Sequence, residues 1–366
     1  METFTAANST ILDPGGNVHD HSVRSSASSI IAAYLVDNVP EFRELAELRT
    51  KGWSNPKGDA FFRKQRRNAD ESDEKTAVYF YNLMKIIGQE LQDNTNAFAL
   101  RTRSTKPPSI LDMCMAPGGF LAKALSFNPN ARALAFSLPA SAGGHRVLLP
   151  RSLNIEKRFL DITMLAEDMG VRTLPTEHPG VGGFLPRHLE PWQRFDLIIC
   201  DGQVLRTHSR AFYREKREAV RLTATQLALG LEHVRLGGTM IVLFHKVEAW
   251  DTVTTLRRFH RFASVKLFKP KRGHATRSSF YMVATDIQSQ GPEAIAAVER
   301  WKTIWRAATF GSDEEYECML CEDELDAEEL LRKFGSELVG LGREVWKVQA
   351  DALAKASFIR GSRVSG

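Results

Sequence analysis

Ile110-Leu-Asp-Met-Cys-Met-Ala-Pro-Gly-Gly-Phe120 is the stretch from which this chain is best read. A short apolar run ends in an acid, Asp112, and a turn of small residues then opens a helix. In an open α/β sheet, the turn after the first strand is where a ligand meets strand ends and a helix N-terminus. Gly118 and Gly119 allow the backbone close to a ligand, where a Cβ would collide. The pattern is not G-x-G-x-x-G, so a pyrophosphate cradle is the weaker reading and a nucleoside without phosphates the stronger. The plain alternative is a Gly-rich turn that carries no ligand.

Short apolar runs continue outward from that loop, at 109–113, 131–138, 195–200, 239–244, 265–268 and 280–285. Helical patterns at 120–126, 210–234 and 252–262 alternate with them. Strands apolar on both faces, alternating with helices, predict a mostly parallel α/β sheet covered on both sides. A Pro/Gly-rich stretch at 180–191 reads as part of an inserted loop. Residues 1–28 read as a flexible tail and 29–106 as a helical N-terminal region, broken near Pro40. That region holds a basic, aromatic stretch at 57–67 and an amphipathic helix over 74–91. The α/β core spans 107–288, and 289–366 reads as a helical C-terminal extension.

The chain has 366 residues, with 49 Lys and Arg against 44 Asp and Glu, a formal net charge of +5. Residues 311–330 hold ten of those acids and no Lys or Arg, so the rest carries 49 basic against 34 acidic residues, a net +15. A basic body suits a polyanionic partner, nucleic acid first; ordinary solubility is the alternative. Four cysteines are too few for a disulfide scaffold and fit a reducing compartment. Cys318 and Cys321 form a C-x-x-C with no second pair, so no metal site is expected. The first residues lack the pattern of a signal peptide, and no apolar run approaches the ~20 residues of a membrane helix. The expectation is a soluble intracellular protein, nuclear or cytoplasmic and not secreted, with no membrane partner. Oligomeric state is not legible.

The loop resembles the cofactor loop of FtsJ-like S-adenosylmethionine-dependent RNA ribose 2′-O-methyltransferases: an apolar strand, Asp, then A-P-G-G and an aromatic. The resemblance continues in order through ALAFSLP (133–139), FLDIT (159–163), FDLIICDG (195–202), GGTMIVLFHK (237–246) and KPKRGHATRSSFYMVAT (269–285). It covers about half of the chain. It implies a Rossmann-like methyltransferase fold, S-adenosyl-L-methionine as cofactor and RNA as partner. Asp112, Ala116, Pro117, Gly118, Gly119 and Phe120 would line the methionine and ribose part of that cofactor. Ser137 and Leu138 stand where the family has an acid for the ribose hydroxyls, and serine offers only one weaker contact. Asp161 would accept from the adenine amino group with Ile162 beside it; a helix N-cap is the other role open to it.

The same resemblance implies a catalytic Lys–Asp–Lys–Glu tetrad. Asp201 ends an apolar strand and is followed by Gly202, and Lys246 ends another. A lysine after several apolar residues is partly desolvated, which lowers its pKa toward use as a base; a snorkelling strand-end lysine is the plain alternative. Lys64 is favoured as the first lysine because it sits among basic residues, with Lys85 on the amphipathic helix as competitor. Aligning on Tyr281 puts Ser279 in the glutamate position, where it cannot supply the negative charge. In this scheme Lys246 takes the ribose hydroxyl proton while Asp201 and Lys64 hold and tune it.

Residues 257–277 carry eight Lys and Arg and no acid, interleaved with Phe259, Phe262 and Phe268. The basic groups suit phosphates and the rings could stack on bases, although helix-then-strand alternation favours the rings as core. Residues 206–221 could flank an RNA path or be a solvated helix face. The acidic 311–330 segment belongs away from RNA or acts as a cover over its path. Two other classes stay open: a catalytically weak or inactive RNA-binding relative, and a methyltransferase for a small molecule or protein.

Overall fold

The computed structural model describes residues 20–70, 74–100, 106–321 and 325–360. A seven-stranded sheet forms its centre: β1 (Ser109–Asp112), β2 (Arg132–Ser137), β3 (Ile155–Phe159), β4 (Phe195–Cys200), β5 (Val234–His245), β6 (Ser264–Phe268) and β7 (Ser279–Ile287). The order across the sheet is β3-β2-β1-β4-β5-β7-β6. All pairings from β3 to β5 are parallel, and β7 runs antiparallel between β5 and β6. The expected mostly parallel α/β architecture is present. Chain order reverses between β1 and β4, which places the ligand crevice at the carboxyl ends of those two strands.

Strand residues alternate between two apolar layers. Ile110, Leu197, Ile199, Ile241 and Tyr281 face one layer with α4 (Glu74–Thr95) and α5 (Gly119–Phe127). Leu111, Ile198, Cys200, Val242 and Met282 face the other, with α6 (Glu218–His233), α7 (Trp250–His260) and α8 (Pro292–Phe310). Both faces are covered, which explains why the strands read as continuous apolar runs. Phe259, Phe262 and Phe268 are core residues at 0%, 5% and 7% exposure.

The terminal helices pack on each other. α2 (Pro40–Trp53) meets α10 (Ala327–Ala354) through Phe42 and Trp346, with ring centroids 5.3 Å apart. α3 (Pro56–Asp70) lays Phe61 and Phe62 against Phe358 of α11 (Ser357–Arg360). α1 (Asp20–Asn38) begins inside the stretch read as a flexible tail; residues 1–19 of that tail lie outside the described residues. Tertiary contact explains the helix: Ser28 Oγ accepts the Trp250 N–H at 3.0 Å, and Arg24 pairs with Asp251 on α7. The acidic segment forms α9 (Asp313–Cys321) and the start of α10, where Asp326 caps the helix by accepting the Glu329 N–H; residues 322–324 lie outside the described residues. No helix among the described residues is long and apolar enough to cross a membrane.

Candidate active site

Parallel pairing aligns Asp112 with Ile199, so Asp201 leaves β4 two residues beyond the end of β1. A cavity of about 240 Å³ opens there. Its floor and sides come from Met113, Cys114, Ala116 and Pro117 of the first loop, Ser137 and Leu138 after β2, and Asp161 and Ile162 after β3. Asp201 and Gly202 follow β4 into the same wall; α4 adds Ala77, Phe80 and Met84, and the β6–β7 loop adds His274 and Arg277.

Seven of the residues that the sequence assigns to the cofactor or to catalysis therefore meet in one wall: Ala116, Pro117, Ser137, Leu138, Asp161, Ile162 and Asp201. Asp112, Gly118, Gly119 and Phe120 stand behind it. Gly118 has φ +103, and a Cβ there would come within 2.8 Å of the Leu149 side chain. A Cβ on Gly119 would come within 2.1 Å of the Tyr81 carbonyl oxygen. The glycines thus admit α4 and the 147–149 segment, so the close approach is made by protein. Phe120 is buried and stacks on Tyr281 at 5.3 Å.

Two carboxylates dominate the electrostatics. Asp112 is 1% exposed, and burial pushes its carboxyl up to about 7 although its Oδ1 accepts the Cys114 N–H at 3.1 Å. Burial, reinforced by the neighbouring Asp112, pushes Asp201 up to about 8; the Tyr281 hydroxyl, which donates to Asp201 Oδ1 at 3.3 Å, pulls the other way. Two desolvated acids repel each other and are relieved by a cation. A cationic methyl donor suits that need, with Met113, Pro117 and Leu138 as apolar wall. Among the described residues no group of three or more His, Cys, Asp or Glu is placed to hold a metal ion.

Asp161 takes the N-cap role. Its Oδ1 accepts from the Thr163 N–H at 3.0 Å and hydroxyl at 2.7 Å, and its Oδ2 accepts from Arg214 at 2.8 Å. Arg214 continues to Glu218, and Glu218 to the fully buried Arg221. Arg221 donates to the Thr163 carbonyl at 2.9 Å and to Thr309 Oγ1 of α8 at 3.0 Å. Arg217 pairs with Asp313 and lies over the Tyr316 ring, 4.6 Å from its centroid. These three arginines of the 206–221 stretch serve partners within the fold, and Arg214 also lines the cavity. Arg217 thereby anchors the acidic α9 at its first turn. Cys318 and Cys321 are exposed free thiols.

The lysines lie outside the cavity wall. Lys64 is exposed on α3, whose aromatic side packs on α11. Lys85 is half-buried with its ammonium 5.5 Å from the Tyr81 ring centroid. Lys246 is exposed at φ +50, and its N–H donates to the Ser278 carbonyl at 3.1 Å. Register explains that placement: Leu243 pairs with Tyr281, so the β5 side chain beside the Asp201–Tyr281 pair is Leu243, which lines the cavity. Ser279 is 1% exposed and its Oγ meets His274 Nδ1 at 2.9 Å. His274, Arg277 and Arg214 were not singled out by sequence reasoning. The first two lie in the basic 257–277 stretch, but only the fold turns them inward.

A seven-stranded sheet with this order and a crevice beside an acid-ended first loop define an S-adenosylmethionine-dependent methyltransferase. The family model described as FtsJ-like methyltransferase matches residues 89–287, more than half of the chain, and the chain belongs to that family. Among solved structures it is similar to an rRNA methylase from Streptococcus thermophilus (12% identity, TM-score 0.32, covering 54% of this chain and 97% of that one). It is similar also to human methyltransferase-like protein 13 in complex with SAH (11% identity, TM-score 0.34, 67% and 94%) and to fibrillarin in a fibrillarin/Nop5p complex (10%, 0.34, 55% and 82%). No curated protein matches the chain.

Proposed function

We propose that this methyltransferase acts on the ribose 2′-hydroxyl of RNA. The observation that carries the reading is the setting of Asp201. Of the carboxylates in the cavity wall, Asp161 and Glu218 are paired with arginines, whereas Asp201 has a tyrosine as its hydrogen-bond partner and the cationic Arg277 and the His274 ring in the same wall. A base beside a guanidinium and an imidazole, both compatible with phosphate, suits a polyanionic acceptor, as does the +15 charge outside 311–330.

S-adenosylmethionine supplies the methyl group as a sulfonium. The chain supplies position and proton handling. Ala116, Pro117, Leu138 and Ile162 exclude water, and the loops after β1 and β4 fix the acceptor relative to the donor, from which most acceleration comes. Asp201 takes the acceptor hydroxyl proton; an acid raised to about 8 is matched to that task near neutral pH. Tyr281 orients the carboxylate and favours its charged form.

The test is methylation of total RNA with tritium-labelled donor, followed by nuclease digestion and mass spectrometry of nucleosides. The expected product is a 2′-O-methylated nucleoside. Label found only in base, protein or small molecules would overturn the reading. A binding-only relative is the second reading, favoured because Lys64 and Lys246 both lie outside the wall and Ser279 replaces a glutamate. It predicts retained RNA and cofactor binding with no product on any RNA.

A further inference from the structure

The β6–β7 loop, residues 269–278, carries His274 and Arg277, neither of which the tetrad scheme uses, and His274 meets Ser279, that scheme's fourth position. Ser279 Oγ is buried, and His274 Nδ1 at 2.9 Å is its polar partner among the described residues. A buried hydroxyl proton without an acceptor is costly, so the hydroxyl donates and Nδ1 accepts. The imidazole proton then resides on Nε2, for which the protein offers no acceptor among the described residues, on a ring that lines the cavity. Burial, followed by the facing Arg277, Lys269 and His245, holds His274 down to about 3. The ring is therefore a standing neutral donor.

The loop is fixed on several sides. Gly273, at φ +68, presses on α4 so closely that a Cβ would come within 2.8 Å of the Leu83 side chain. The Lys271 N–H donates to Glu90 Oε2 at 2.8 Å. The buried Lys269 ammonium donates to the Ser279 carbonyl at 2.6 Å and to the Arg277 carbonyl, tying the two ends together. Arg277 lines the same wall, and the His274 ring stacks on Tyr281 at 6.3 Å, the residue that holds Asp201. A rigid loop thus presents an N–H donor and a guanidinium beside the proposed base. That pairing selects an anionic oxygen.

We propose that His274 and Arg277 form the seat for the phosphodiester that follows the ribose whose 2′-hydroxyl faces Asp201; this rests on the reading of the acceptor as RNA. The 2′-hydroxyl and the 3′-phosphate are carried on adjacent ribose carbons, so their partners must adjoin, as these do. A nucleoside or a 3′-terminal ribose without its phosphate is then a poor acceptor. The cofactor's own carboxylate is the other anionic oxygen that the cavity could bring to this seat.

The test uses the full chain loaded with S-adenosylhomocysteine. Nitrogen-15 NMR should show His274 protonated at Nε2, with that resonance moved by inorganic phosphate and by a short RNA. His274→Ala and Arg277→Ala should each lower RNA affinity by about ten- to a hundredfold, with S-adenosylhomocysteine affinity by calorimetry unchanged within about twofold. His274→Gln, which keeps an N–H at a similar reach, should recover most of the loss and guards against a folding defect. An Nδ1-protonated ring, or an Nε2 resonance indifferent to phosphate and RNA, overturns the seat. So does an equal loss of S-adenosylhomocysteine affinity in His274→Ala, which would assign the seat to the cofactor carboxylate. If wild type methylates no RNA while phosphate still moves Nε2, the RNA reading falls and the seat stands for another phosphorylated acceptor.

Discussion

Tyr281 on β7 reaches past β5 to donate its hydroxyl to Asp201 Oδ1 at 3.3 Å, beyond the end of β4. The ring is held by Phe120 on one side and His274 on the other, so the first loop, the β6–β7 loop and the proposed base are mechanically one unit. Tyr281→Phe keeps the stack and removes a hydrogen bond that favours the charged carboxylate. The rising limb of the pH–rate profile should move to higher pH by about one unit, with the melting temperature little changed. A profile that does not move would mean that the hydroxyl does not act on Asp201.

The raised carboxyls also make stability depend on pH. In the folded state Asp201 is raised to about 8 and Asp112 to about 7, from an ordinary value of 3.8. Between the unfolded and folded values the folded form binds more protons, so stability falls as pH rises through that window and levels off above it. Asp201→Asn removes its share. The variant should melt at least about 2–4 °C higher than wild type at pH 9 and show no gain at pH 4. Cofactor binding has the opposite sense for wild type: a cation is held better by ionised acids, so affinity should rise from pH 6 to 9, with proton release visible in calorimetry across buffers.

The wall contains Asp201 and Leu243 but neither Lys246 nor Lys64. Asp201→Asn should therefore lower kcat by about a hundredfold or more, whereas Lys246→Ala should lower it by less than about tenfold. Single-turnover rates at saturating RNA are the measurement. An equal loss in both variants would show that Lys246 enters the cavity once substrate is bound.

The sequence carried the sheet and the cofactor end because both are local patterns. A strand apolar on both faces, an acid at its end and a small-residue turn are contiguous, and their roles follow from position in the chain. Asp201 was legible for that reason. The place of Lys246 outside the wall is not legible, because a strand end in sequence does not reveal register: the antiparallel partner β7 sets Leu243, three residues earlier, abreast of Tyr281. The glycines are legible as points of close approach, but that Leu149 and the Tyr81 carbonyl make that approach is not, since a Cβ vector is not visible in a sequence. For Arg217 and Arg221 the sequence leaves an RNA-flanking role and a solvated face open, because a helical charge pattern is silent about a later helix, α8, whose Ala307 carbonyl and Thr309 hydroxyl they serve.

That contact with α8 makes the arginine relay a determinant of stability. Arg221 has no exposed surface, and its guanidinium serves Glu218, the Thr163 carbonyl and Thr309 Oγ1 at once. Trp305 of α8 donates its Nε1–H to the same Thr163 carbonyl at 3.0 Å. Arg221→Ala leaves Glu218 buried with Arg214 as its remaining cation, a change that costs about 3–5 kcal/mol. Arg221→Met combined with Glu218→Leu removes both charges and should recover most of that loss. Cofactor affinity should follow the same order, because the turn that loosens is the one presenting Asp161 and Ile162 to the cavity. Cutting the chain before α8 should behave like the single variant or worse, with the core region unable to fold without its C-terminal helices. A stable, cofactor-binding fragment ending near residue 288 would show that the arginine relay contributes little.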